Sequence, residues 1–147
     1  MTKILVPTDA SKQAEAAGEY AIASSDISGA DIIVLYIIDT DYLDALPQPD
    51  LRESLEEQLR KEGKDAVEAF KQKIEEAQCQ GYCKNVNLIP MVKEGKPADT
   101  ILKTIDEEGV DQVIMGKSGK HGIEKFFLGS TTDKVLRGSK VPVNVIS

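Results

Sequence analysis

At 147 residues the chain has the length of one ordinary domain, enough to bury a single core but not two. With 41% hydrophobic and 29% charged residues it reads as a globular protein, and apolar runs such as 32–38 are far too short to span a bilayer. The net charge of −7 argues against sequence-independent binding to DNA or RNA, which needs a basic face to displace counterions. The start of the chain leads straight into a charged, strand-like segment without a secretory pattern, so a cytoplasmic location is expected.

Strand and helix patterns alternate along the chain. Lys3–Pro7 (KILVP) is a short buried-strand run closed by Pro7 and the turn formers Thr8-Asp9. Ser11 is a helix N-cap, after which Ala14, Ala17, Ala21 and Ile22 recur at helical spacing to about Ser25. Asp31–Ile38 (DIIVLYII) is a continuous β-branched run, the pattern of a strand buried on both faces. Asp39–Asp50, with Pro47 and Pro49, reads as a loop. Its aspartates (39, 41, 44, 50) lack the central glycine and terminal glutamate of a calcium loop. Leu51–Gln80 is a long amphipathic helix with Leu55, Leu59, Ala66, Phe70, Ile74 and Ala77 on its apolar side, and Gly63 is expected to weaken or bend it.

Gly81 ends that helix, Val86–Val92 is the third strand, and Glu94–Pro97 is a turn. Cys79 and Cys83, spaced C-x3-C, match neither a redox pair nor half a zinc site, and read as reduced thiols. Pro97 suits the first turn of a helix carrying Ile101, Leu102 and Ile105 and closed by Gly109. Val110–Met115 is the fourth strand, Ser130–Arg137 a helix ended by Gly138, and Val141–Ile146 the fifth strand. Five strands joined by crossover-length helices predict a single α/β domain over 1–147: a doubly wound five-stranded parallel sheet with helices on both faces. For a strand order of 3-2-1-4-5, the ligand crevice lies between strands one and four, beyond Pro7-Thr8-Asp9 and Met115-Gly116.

The segment Met115–Ser130 (MGKSGKHGIEKFFLGS) carries the most chemistry. Glycine after a strand permits positive φ and lets backbone amides approach an anion without a Cβ in the way. Gly129-Ser130-Thr131-Thr132 then opens a helix, whose amides, dipole and three hydroxyls suit phosphate. Ser130 is also a possible N-cap for it. Lys117, Lys120 and His121 are either phosphate-screening or merely solvated. Gly116-Lys117-Ser118 looks like the end of a Walker A loop, but Asp111 stands where that loop needs glycine. The triplet Gly116, Gly119, Gly122 has Ile114 in place of the first glycine of a Rossmann fingerprint.

The pattern that fits is G-x2-G-x9-G-S, and with ILVPTDAS (4–11), VLYIID (34–39), VKEGKPADTIL (92–102), GVDQVIMGKSG (109–119) and GSTTDKVLRGSKVPVNVI (129–146) the chain resembles the universal stress protein family, in its ATP-binding branch. The resemblance implies the 3-2-1-4-5 sheet of adenine nucleotide alpha hydrolase-like domains, and a regulatory, stress-response role. It puts adenine near Pro7, Thr8 and the backbone of Ile37, and ribose on Asp9, whose carboxylate accepts two hydrogen bonds. Met115 and Gly116 would line the nucleoside, and Gly119, Gly129, Ser130 and Thr131 would take the phosphates. Mg2+ would arrive with the phosphates, for no carboxylate cluster surrounds the loop in sequence. No positioned nucleophile or protein-held metal points to catalysis; slow ATP hydrolysis, or adenine-nucleotide transfer, is the alternative on the same fold. Pro142 marks 141–146 as an edge strand. The resemblance implies a homodimer through it, with Asn144 standing where the family usually has an apolar residue, besides an unknown protein partner.

Overall fold

The computed structural model describes residues 2–118 and 129–147. Its order is β1 (Lys3–Thr8), α1 (Lys12–Ser28), β2 (Asp31–Asp39), α2 (Thr40–Asp44), α3 (Pro49–Cys79), β3 (Leu88–Gly95), α4 (Pro97–Glu108), β4 (Gln112–Gly116), α5 (Ser130–Gly138) and β5 (Val143–Ile146). The five strands form one parallel sheet, as the alternation of elements predicts, in the order β3-β2-β1-β4-β5 that the family resemblance implies.

Side chains alternate across the central strands, so each strand feeds two cores. Ile4, Val6, Ile32, Val34, Tyr36, Ile38 and Ile114 pack beneath α1 and α3; Leu5, Ile33, Leu35, Val113 and Met115 pack beneath α4 and α5. The β-branched run of β2 is buried almost throughout because both faces are covered. On α1 the buried residues are small (Ala14, Ala17, Gly18, Ala21, Ser25), which brings the helix close to the sheet. A Cβ on Gly18 would lie 2.6 Å from Cε2 of Phe70, so α1 and α3 also meet through an absent side chain.

The caps explain where the helices stop and start. Ser11 accepts the Ala14 amide at 3.2 Å, as an N-cap serine should, and Gly29 and Gly109 close α1 and α4 in the left-handed conformation. Proline occupies the first turn of α3 and of α4. Several boundaries differ from the sequence reading, most by one to three residues. The 39–50 loop contains the single-turn helix α2, capped by the Asp39 carboxylate on the Asp41 amide at 2.9 Å; five residues are too few to show a period. Arg52 holds the far end of that turn, donating to the carbonyls of Leu43 at 3.1 Å and Leu46 at 2.9 Å.

The third strand starts at Leu88 instead of Val86 and runs on to Gly95, because its whole length pairs with β2. The fourth is shifted to Gln112–Gly116, Val110 and Asp111 preceding the ladder. The fifth begins only at Val143: Pro142 has no amide to give, but its carbonyl accepts the Val113 amide at 2.9 Å. β5 pairs with β4 alone and is an edge of the sheet, as expected. Among the described residues, no helix is long and apolar enough to cross a membrane. Cys79 is exposed and Cys83 buried, and both are free thiols.

α3 is continuous through Gly63. Its missing Cβ makes room for the ring of Tyr36, whose Cδ1 would lie only 2.6 Å from a Cβ built there. Glycine-to-alanine exchange inside a helix ordinarily stabilises by about 1 kcal/mol. Gly63→Ala is expected to do the opposite, costing about 1–3 kcal/mol through overpacking against Tyr36. Urea denaturation of the two proteins measures it.

Candidate functional site

β1 and β2 stay in register over six residue pairs, from Lys3↔Asp31 to Thr8↔Tyr36. β1 and β4 pair only at Ile4↔Gln112 and Leu5↔Val113. Beyond Leu5 and Val113 the two central strands are no longer joined, and the sheet opens at its C-terminal side. This is the topological switch point, since the chain winds outwards from β1 on one side and β4 on the other.

The β1 wall ends in Pro7, Thr8 and Asp9, all half-buried. Thr8 Oγ1 accepts the Ala10 amide at 3.2 Å and Asp9 Oδ1 accepts the Ser11 amide at 3.0 Å. The aspartate therefore does make the local turn contact that its position after a strand suggests. Between them Ala10 has φ of 67°, the left-handed region that an alanine enters at a cost of about 1–2 kcal/mol. Ile37, in β2, is half-buried and its side chain joins the α4 core.

The β4 wall ends in Met115 and Gly116. Met115 is buried and its side chain belongs to the core beneath α4 and α5. Gly116 has no positive φ, nor does Gly129. Both are glycines for closeness. A Cβ on Gly116 would come within 3.0 Å of the Gln13 carbonyl carbon, and one on Gly129 within 3.1 Å of the Ser118 Cα. The Gly129 amide donates to the Lys117 carbonyl at 2.9 Å, so the two ends of the glycine segment meet.

Gly129, not Ser130, is the N-cap of α5, and it provides no side-chain cap. The first intrahelical bond runs from the Asp133 amide to the Gly129 carbonyl at 2.9 Å. Helix geometry thus gives the amides of Ser130, Thr131 and Thr132 no acceptor within α5, and they lie at its positive end. Of the three hydroxyls, Thr132 is already used, donating to the Gly116 carbonyl at 3.0 Å; Ser130 is exposed and Thr131 half-buried. Ser118 is buried and its hydroxyl donates to Gln13 Oε1 at 2.8 Å. Gly116-Lys117-Ser118 consequently lacks the outward serine of a phosphate-binding Walker loop. Gly119, Lys120, His121 and Gly122 lie outside the described residues.

Four contributors carry no motif and were not singled out in sequence: Ala10, Gln13, Tyr36 and Glu62. Tyr36 stands beside Thr8 in the sheet, and its hydroxyl donates to Glu62 Oε2 at 2.7 Å. Burial, first of all, raises the phenol well above its ordinary value of 10, with the Glu62 hydrogen bond, the Glu62 charge and the Asp9 charge acting in the same direction. Two carboxylates, Asp9 and Glu62, thus lie close to this phenol. Further out, Arg60 bridges Glu56 at 3.2 Å and Glu94 at 2.6 Å. The hydrogen bond between those two carboxyls holds Glu94 above the usual range and Glu56 below it.

A doubly wound α/β domain with an opening at its switch point, acidic on one wall and presenting helix amides on the other, is the class that this geometry defines. The Universal stress protein family matches residues 1–147, and the chain belongs to that family. Universal stress protein MJ0531 of Methanocaldococcus jannaschii is 30% identical over 98% of this chain and 81% of its own length. The solved structure of MJ0577, from the same organism, superposes with a TM-score of 0.83 at 30% identity, covering 99% of this chain and 94% of that one. The universal stress protein UspA from Lactobacillus plantarum has the same TM-score, 0.83, at 28% identity, covering 99% and 97%. At 20% identity the fold is also that of a universal stress protein in complex with cAMP and of an Arabidopsis thaliana family protein with AMP bound.

A phenol held protonated by the fold supplies stability that is complete below its unfolded value near 10 and is lost as pH rises above it. The urea midpoint is expected to fall as pH rises above about 10, and Tyr36→Phe should remove that component of the fall. Titration of the midpoint in both proteins tests the assignment.

Proposed function

We propose that this family member is an ATP-binding regulatory protein, a single domain whose nucleotide lies across the switch-point crevice. The observation that carries the reading is the convergence at one opening of an acidic turn after β1 and the amide-lined start of α5 after β4. A nucleotide has matching polarity: hydroxyls at the ribose, dense negative charge at the phosphates. Asp9, with Glu62 and Tyr36 behind it, repels phosphate and accepts hydroxyls. The α5 amides and dipole favour the opposite end.

In this reading adenine rests against Pro7, Thr8 and the Ile37 backbone, Asp9 holds the ribose, and Met115 and Gly116 line the nucleoside. Gly119, Gly129, Ser130 and Thr131 hold the phosphates by backbone and hydroxyl. Thr132, tied to Gly116, fixes α5 against β4 so that those amides keep their direction. Any Mg2+ is carried by the phosphates: Asp133, the carboxylate in the first turn of α5, is bound to the Arg137 guanidinium through both oxygens at 3.1 Å. Among the described residues no cluster of three or more histidine, cysteine or carboxylate groups could hold a metal.

ATP binding changes the surface that a protein partner meets, the partner being unidentified, and the site of action is the cytoplasm. The β5 edge pairs with a second copy, which would cover its open backbone groups. Asn144 is no obstacle to that pairing, its amide being directed within the chain to Gln112 Oε1 at 3.2 Å.

Calorimetry with ATP, AMP and cyclic AMP should give saturable binding, tightest for ATP; absence of affinity for every adenine nucleotide would sink the proposal. Gly129→Val pushes a side chain against the Ser118 backbone and should weaken ATP at least roughly tenfold, by displacing the start of α5. Unchanged affinity removes Gly129 from the site. Sedimentation at micromolar concentration should report a dimer, and a pure monomer contradicts the edge pairing.

A further inference from the structure

We propose that Gln13 is the positioning residue of the phosphate end, a side chain from α1 that fixes the β4–α5 junction in the geometry that receives the anion. This rests on the nucleotide-binding reading above. Gln13 lies in the first turn of α1, four residues after Asp9, and nothing in the sequence marks it. Its Oε1 accepts two hydrogen bonds from one residue, the Ser118 amide at 2.7 Å and the Ser118 hydroxyl at 2.8 Å. A carbonyl oxygen has two lone pairs, and both are engaged. Ser118 is buried, so no water replaces that acceptor without reorganising the junction.

The contact continues to the anion end. The Cα of Ser118 occupies the space that a Gly129 side chain would need, and the carbonyl of its neighbour Lys117 receives the Gly129 amide. Gly129 is the N-cap of α5, so Gln13 determines where the amides of Ser130 and Thr131, which have no acceptor within α5, stand. The main chain of Gln13 contributes as well, lying 3.0 Å from where a Cβ on Gly116 would stand. One residue thereby links the turn that carries Asp9 to the segment that would carry the phosphates. That link spans the gap where β1 and β4 are not paired.

The test uses the full chain and compares ATP with adenosine, which lacks the phosphates. Gln13→Met keeps length and helix propensity but offers no acceptor to Ser118. It should weaken ATP roughly tenfold or more while leaving adenosine affinity within a factor of about two, because only the phosphate end moves. Hydrogen exchange at the Ser118 amide should be slow in the parent and fast in Gln13→Met. ATP binding of Gln13→Met equal to the parent's overturns the proposal, as does an equal loss for ATP and adenosine. A parent that binds neither ligand overturns the nucleotide reading itself, a result distinct from either.

Discussion

Parallel pairing between β1 and β4 is confined to two residue pairs, whereas β1 and β2 are paired along the whole of β1. Hydrogen-bonded strands exclude ligands; separated strands with the C-terminal ends facing outward admit them. The gap must then be bridged by something other than a ladder, or the two halves of the sheet would diverge. Here side chains and close backbone contacts do so. Gln13 reaches from α1 to Ser118, and Thr132 from α5 to Gly116. The crevice is held open at the strand ends and closed behind them.

The glycines in this region act through space, not through torsion. Left-handed glycines occur at 29, 81 and 109, in caps and turns. Gly116 and Gly129 have ordinary φ and are needed because another backbone lies within van der Waals distance of the missing Cβ. Gly18 and Gly63 serve the same purpose towards Phe70 and Tyr36 in the other core. Among the described residues at the crevice, Ala10 is left-handed, in the turn between strand and helix.

The parallel sheet, the two-faced burial of β2, the Ser11 and Gly109 caps and the edge position of β5 were legible from periodicity and local chemistry, and the strand order from the family resemblance. α2 was not, since a single turn shows no period, nor was the reason for glycine at 63, because propensity knows nothing of Tyr36. Thr8 and Gly116 end the two neighbouring strands that flank the switch point, as the element order implied. Gln13, Glu62 and the inward turn of Ser118 were invisible for a different reason. Each depends on a partner distant in sequence, and glutamine or glutamate on a helix face reads as solvent-exposed until that partner is known.

The meeting of Lys117–Ser118 with Gly129 has a consequence for how such a chain tolerates change. Because the main chain returns at 129 to the point it left at 118, the number of residues in between is uncoupled from the placement of α5. The entropy of closing such an excursion grows only with the logarithm of its length, by about 0.6 kcal/mol for each doubling. Added length beyond Gly119, the residue read as a phosphate contact, would leave the helix start where it is. The junction works as a socket, whose mounting is the pair of contacts between 117–118 and 129.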